Sequence, residues 1–201
     1  MTSRDRCPVV VVKLGGSILT GLPSYQRAAE FLRRELRARA GSRIVAVVSA
    51  EFGHTDVLAH EAQVLDPAPD ARMLDLLWST GEIRSVALLT LALQQARVQA
   101  AGLNAHQAGL RTLDDGGRIE FHLLPIRAAL ATHDVVVVPG FLATRRQALV
   151  TLGRGGWPAA PQELLTTPSR PVRRAIPARF PGKSRKSRRP PSRARPSRGW
   201  H

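Results

Sequence analysis

The stretch Val9-Val10-Val11-Val12-Lys13-Leu14-Gly15-Gly16-Ser17 decides the fold. Four successive β-branched residues read as a strand buried on both faces, as in the middle of a parallel sheet. The two glycines allow a tight turn and let backbone N–H groups approach a bound anion. A helix after the turn adds positive potential at its start. Lys13 is the sole lysine before Lys183, in a chain that otherwise takes its positive charge from arginine. An ammonium is a compact point charge, which suits a transferring phosphate better than a planar guanidinium fork. The plainer alternative is a buried strand ending in an ordinary glycine turn, because isolated Gly-Gly turns are common.

Beyond the turn, Ala28, Phe31, Leu32 and Leu36 recur at helical spacing among charged residues. They predict an amphipathic helix over 24–40, with Ser24 as N-cap and Gly41 as its end. Arg43 to Val48 reads as a second buried strand, followed by the polar loop Ser49-Ala50-Glu51-Phe52-Gly53-His54-Thr55-Asp56. Strand, helix and strand in this order make a βαβ unit of an α/β domain. Ligands in such sheets sit beyond the carboxyl ends of the strands, so the loops after both strands could face one cleft.

Residues 57–65 are helix-like, and Asp66-Pro67-Ala68-Pro69-Asp70 breaks them. A longer helical region is expected over 71–101, interrupted at Ser79-Thr80-Gly81-Glu82. Glu82 would then stand near a helix start, where the dipole favours a carboxylate or where it is merely a first-turn charge. Gly102 is read as the stop, with a short strand at Leu103-Asn104-Ala105-His106. Asp114-Asp115-Gly116-Gly117 is a hairpin turn signal, its aspartates read as turn formers and not as metal ligands. A short helix over 124–132 begins with Pro125 in its first turn. Asp134 to Phe141 is a third buried strand leaving through Gly140, and Ala148 to Leu152 leads to Gly153-Arg154-Gly155-Gly156.

The chain has 201 residues and a formal net charge of +15, which suggests a nucleic-acid binder until it is divided. Residues 157–201 hold 12 of the 30 Lys+Arg, 1 of the 15 Asp+Glu and 9 of the 15 prolines. Residues 1–156 are therefore nearly balanced, and the basic excess belongs to the tail. Its proline, arginine and serine content cannot bury enough apolar surface to offset chain entropy, so disorder is expected there. Cys7 stands alone, which rules out an internal disulfide and suits a reducing compartment. No unbroken apolar run approaches the roughly 20 residues that cross a bilayer. The N-terminus lacks a long apolar secretory segment. A cytoplasmic protein with no membrane partner is expected, and an oligomer is left open. The histidines form no i, i+4 pair and join no cysteine cluster, which argues against zinc. A Gly-x-Ser-x-Gly elbow and a Walker phosphate loop are both absent, so neither a serine hydrolase nor a P-loop enzyme is supported.

Four segments, taken in order, resemble the aspartate kinases of the amino acid kinase superfamily. They are Val12-Lys13-Leu14-Gly15-Gly16-Ser17, Val48-Ser49-Ala50 through Gly53 and Thr55, Ser79-Thr80-Gly81-Glu82, and Gly140-Phe141 through Thr151-Leu152-Gly153-Arg154-Gly155-Gly156. The first would fit several members, among them acetylglutamate, glutamate 5-, uridylate and isopentenyl phosphate kinases. The third and fourth favour aspartate kinase. The resemblance implies an α/β three-layer sandwich with a mainly parallel central sheet over residues 1–156. It also implies transfer of a phosphoryl group from ATP, with Mg2+, to the side-chain carboxylate of L-aspartate, the step that opens lysine, threonine and methionine biosynthesis. Lys13 would neutralise the transferring phosphate, and Gly15, Gly16 and Ser17 would hold the ATP phosphates. Ser49 and Thr55 would touch the substrate, Glu82 would pair with its ammonium, and Arg154 would grip its α-carboxylate in a two-pronged hydrogen bond.

The resemblance stops inside a motif. Where the family continues Gly-Arg-Gly-Gly with Ser-Asp, this chain has Trp157 and Pro158, and neither offers a carboxylate. The expectation is a kinase domain truncated after Gly156, missing its nucleotide-binding half and impaired as an enzyme. It should show an unpaired sheet edge and exposed apolar surface. A change of reading frame in a GC-rich gene would produce such a tail. The other account is an evolved basic arm, making the chain a non-catalytic nucleic-acid-binding protein through phosphate contacts.

Overall fold

The computed structural model describes residues 7–112, 119–146 and 148–152. Its centre is a four-stranded sheet of β1 (Val9–Leu14), β2 (Arg43–Val48), β6 (Val135–Pro139) and β3 (Ala100–Gly102), in the order β1-β2-β6-β3. All three pairings are parallel. The valine runs are buried on both faces, as continuous apolar strands in a covered parallel sheet must be. Alternate residues divide between two cores. Val10, Val12, Leu14, Ile44 and Ala46 pack with Tyr25, Ala28 and Leu32 of α1 (Leu22–Ala38) and Val86, Leu89 and Leu93 of α3 (Ala71–Gln95). Val11, Val45, Val47, Val136 and Val138 pack with Ala105, Ala108, Leu110, Ile126 and Leu130 on the other face. Ile126 and Leu130 belong to α4 (Leu124–Thr132), which Pro125 opens as its fixed φ allows.

A second, mixed sheet has the order β5-β4-β7-β8, from β4 (Leu110–Thr112), β5 (Ile119–Phe121), β7 (Leu142–Arg145) and β8 (Ala148–Thr151). Strands β4 and β5 pair antiparallel, as a hairpin requires, although Asp114 to Gly117 lie outside the described residues. The remaining helix, α2 (His54–Leu65), packs on α3. The α/β three-layer arrangement expected from the sequence is thus observed for the described body. The tail after Leu152 lies outside it, and so do Arg154, Trp157 and Pro158.

Four local expectations are corrected. Helix α3 is continuous through Ser79-Thr80-Gly81-Glu82, so Glu82 is a mid-helix residue and not a first-turn one. Gly81 is not a break: a Cβ there would lie 2.9 Å from His54 Cδ2 and 3.2 Å from Ala50 Cβ, so glycine answers a close approach by a neighbouring loop. The helix ends at Gln95, and Ala100–Gly102 is strand β3 because its backbone pairs with Val135–Val137. Leu103–His106 is a turn, not a strand: Asn104 Oδ1 accepts from Gln107 N at 2.8 Å, and Gln107 Oε1 accepts from Asn104 N at 3.0 Å. Ser24 does not cap α1; Gly21 holds that place, and the buried Ser24 hydroxyl donates to Gly21 O at 2.6 Å from within the first turn.

By length and composition α3 could cross a bilayer, but its second half is a core helix between α1 and the central sheet. Its start is fixed by Asp70, whose Oδ1 accepts from Arg72 N at 3.0 Å and Met73 N at 3.2 Å.

Candidate active site

Strands β1, β2 and β6 end together, and their exits are tied to one another. Ser49 N donates to Leu14 O at 3.1 Å, and Gly140 N donates to Val48 O at 2.7 Å. Gly16 comes so close to the β2 exit that a Cβ on it would sit 3.0 Å from Ala50 O. Phe52 N donates to Leu19 O at 2.8 Å, closing the loop after β2 onto the segment after β1. Lys13 is the penultimate residue of β1, in register with Val47, and its side chain is exposed at this edge. Gly15 faces open space, and its carbonyl accepts from Ile18 N at 2.9 Å to form the turn that carries Gly16 and the exposed Ser17.

Glu82 reaches the same edge from α3 and is only 3 % exposed. Its Oε2 accepts from Phe141 N at 2.9 Å, directly after β6. Burial pushes the carboxyl up to about 7, against the lowering effect of the Phe141, Gly140 and Ala50 backbone N–H groups and the Lys13 charge. A carboxyl so placed exchanges its proton near neutrality and would be held as an anion by a cation brought against it. Standing in mid-helix, Glu82 is outside the reach of the dipole at the start of α3, and the exits of β2 and β6 hold it instead.

Ser49 is half-buried at the β2 exit, and Thr55 is exposed in the first turn of α2. Arg154 lies outside the described residues, but the chain leading to it is fixed nearby. Leu152 N donates to Phe141 O at 2.8 Å, and Thr151 Oγ1 donates to Asp75 Oδ1 at 2.7 Å. The structure thus gathers Lys13, Gly15, Gly16, Ser49 and Glu82 at one edge, with Ser17 and Thr55 on its exposed turns.

Sequence reasoning missed the supports. Arg84 of α3 forms an ion pair with Glu51, holding the loop after β2 against the helix. The neighbouring Ser85 shares a 2.9 Å hydrogen bond with the Tyr25 hydroxyl of α1. Asp75 and Thr151 meet across 76 residues of sequence, which no local pattern signals. Among the described residues no cluster of three His, Cys, Asp or Glu side chains could enclose a metal ion.

Residues 8–156 match the amino acid kinase family. An aspartokinase of Thermus thermophilus is 37% identical over 152 residues, which are 74% of this chain and 37% of that protein. One of Geobacillus stearothermophilus is 34% identical over 152 residues, with the same coverage of 74% and 37%. The chain thus spans little more than a third of these relatives' length. Among solved structures, an aspartate kinase from Synechocystis superposes with a TM-score of 0.62 at 38% identity, covering 73% of this chain and 24% of that one. Aspartokinase III of E. coli, solved in complex with aspartate and ADP, gives 0.56 at 22% identity, covering 74% and 44%, a likeness of fold. With the parallel strands, the glycine turn and the β6 exit all inside the matched residues, the chain belongs to the amino acid kinase family.

Proposed function

We propose that this chain carries the aspartate-binding and phosphate-facing part of an aspartate kinase. In the reaction an oxygen of the L-aspartate side-chain carboxylate bonds to the γ-phosphorus of ATP. The bond from that phosphorus to the β,γ-bridging oxygen breaks, and ADP leaves with the electron pair. Such transfer needs positioning and charge stabilisation more than covalent help from the protein. Lys13 offsets charge on the moving phosphoryl group, and the Gly15 and Gly16 N–H groups, with Ser17, receive the phosphates. Mg2+, bound with the nucleotide, would neutralise phosphate charge. Ser49 and Thr55 contact the amino acid. Glu82 takes its ammonium, and Arg154 takes its α-carboxylate.

The observation that carries this reading is the presence of an exposed lysine and a buried carboxyl, raised to about 7 by burial, at the joined ends of three parallel strands. It is supported by the identity of 33–37% to aspartokinases and by the two ligands bound in the E. coli structure, aspartate and ADP. The test is hydroxylamine trapping of aspartyl phosphate with ATP and Mg2+. Activity that Lys13→Ala lowers by about 100-fold or more supports the role of Lys13, and activity indifferent to it contradicts that role.

A second reading is favoured by one observation, the 12 basic residues against 1 acidic within residues 157–201. Such an arm would bind nucleic acid through phosphates, with affinity falling steeply as salt rises. Duplex DNA binding that survives deletion of those residues would exclude it.

A further inference from the structure

We infer that an open groove of about 430 Å3, lying between the carboxyl ends of α1 and α3, binds a small organic phosphate ester through Arg37 and Arg97. It sits at the amino-terminal edge of the central sheet, where Val98 and Asp134 precede β3 and β6. The strands separate it from the Lys13 edge by roughly 20 Å, the length of a six-residue strand. It is therefore a different site from the one proposed for phosphoryl transfer, and it does not depend on that proposal.

The charges in the groove do not cancel. Arg33 is engaged by Glu30, its Nε 2.8 Å from Oε2, and Asp134 is engaged by Arg43 at 2.7 Å. Among the described residues neither Arg37 nor Arg97 forms an ion pair with a side-chain carboxylate, so two arginines line the groove with only the carboxyl ends of their helices set against their charge. A phosphate dianion matches that charge, and the planar fork of arginine suits its oxygens. Leu36, Ala96 and Val98 give the groove an apolar wall, which favours an ester with a ring or short alkyl group over the bare anion.

The backbone at Arg97 adds a second observation. It stands at φ 62, in the left-handed region, and Val98 N donates to Leu93 O at 3.0 Å to close the end of α3. Glycine is the usual occupant of that place in this helix ending, and an arginine there is strained. Both arginines also offset the negative ends of their helices, which is a structural role but predicts no ligand. Arg97→Gly separates the two, since it removes the guanidinium and relieves the backbone together.

The basic tail would attract phosphate anywhere, so the test must read the groove itself. The full chain, isotopically labelled, is titrated with phenyl phosphate and separately with inorganic phosphate while amide shifts are followed. The expected result is saturating shifts at Leu36, Ala96 and Val98, with phenyl phosphate bound about tenfold tighter than inorganic phosphate. Arg37→Ala and Arg97→Gly should each weaken binding by about tenfold or more, and Arg97→Gly should melt no lower than the parent. Shifts confined to the tail or to the Lys13 turn would overturn the site, as would groove shifts that persist unchanged in both variants. Equal affinity for the two probes would overturn the ester assignment.

Discussion

Glu82 is the residue on which the proposed function turns, and its environment makes a prediction independent of any ligand. Its carboxyl, pushed from 4.5 to about 7 by burial, keeps its proton in the folded state over a range where the unfolded chain has released it. The folded state binds more protons between those values, so the contribution of Glu82 to stability is full below 4.5, falls as pH rises to about 7 and is level above. Across that window the loss amounts to roughly 3 kcal/mol, an upper figure for a buried carboxyl. Urea melts from pH 4 to 8 should show this fall in the parent relative to Glu82→Gln, whose amide can still accept from Phe141 N. Parallel pH profiles for the two proteins would remove the basis for a carboxyl poised near neutrality. The motif singled Glu82 out in the sequence, and the structure places it at the exits of β2 and β6. The cause of its state was not legible in the sequence, because Ala50, Gly140 and Phe141 are brought to it only by the sheet.

At the scale of elements, the valine-rich strands were legible because burial on both faces leaves continuous apolar runs in β1, β2 and β6. The places where the sequence misled are those where tertiary contact overrides local pattern. Ala100–Gly102 has the composition of a helix end, yet pairing with β6 makes it a strand. Gly81 has the look of a helix break, yet α3 passes straight through it because Ala50 and His54 need the space. These glycines should respond differently to substitution. Gly140→Ala sets a Cβ 2.9 Å from Val47 Cγ1 and 3.1 Å from Val48 O, and that carbonyl is already pinned by Gly140 N. The cost should be about 1–3 kcal/mol of stability, read from denaturant melts. Gly81→Ala gains helix propensity of about 1 kcal/mol and meets the movable ring of His54 first. Its net change should stay within about 1 kcal/mol, with the loop after β2 displaced. If Gly140→Ala proves the milder of the two, the tight joining of the β2 and β6 exits is wrong.

At the scale of the whole molecule, the body is that of the amino acid kinase family. It spans 37% of the aspartokinases it resembles. Phe52, Val57, Val64, Leu65, Met73 and Leu76 are exposed apolar residues on α2, the loop before it and the first half of α3, with Leu65 at 88% exposure. Exposed apolar surface on this scale favours association. Sedimentation should show self-association that rises with concentration and is reduced in Val64→Lys/Leu76→Glu, whereas an unchanged distribution would mean that other surfaces associate. The helices bearing these exposed residues could be named only once packed. The central claim is that the edge formed by β1, β2 and β6 receives an amino acid through Glu82, and calorimetric titration of the chain with L-aspartate at pH 7 tests it most directly. Run in buffers of different ionisation enthalpy, it should show binding with release of about half a proton, because a carboxyl at about 7 must become fully charged to hold an ammonium. In Glu82→Gln the proton release should vanish and binding should weaken by about 1.5–3 kcal/mol. Aspartate binding of equal strength in both proteins, with no proton released in either, would contradict the account.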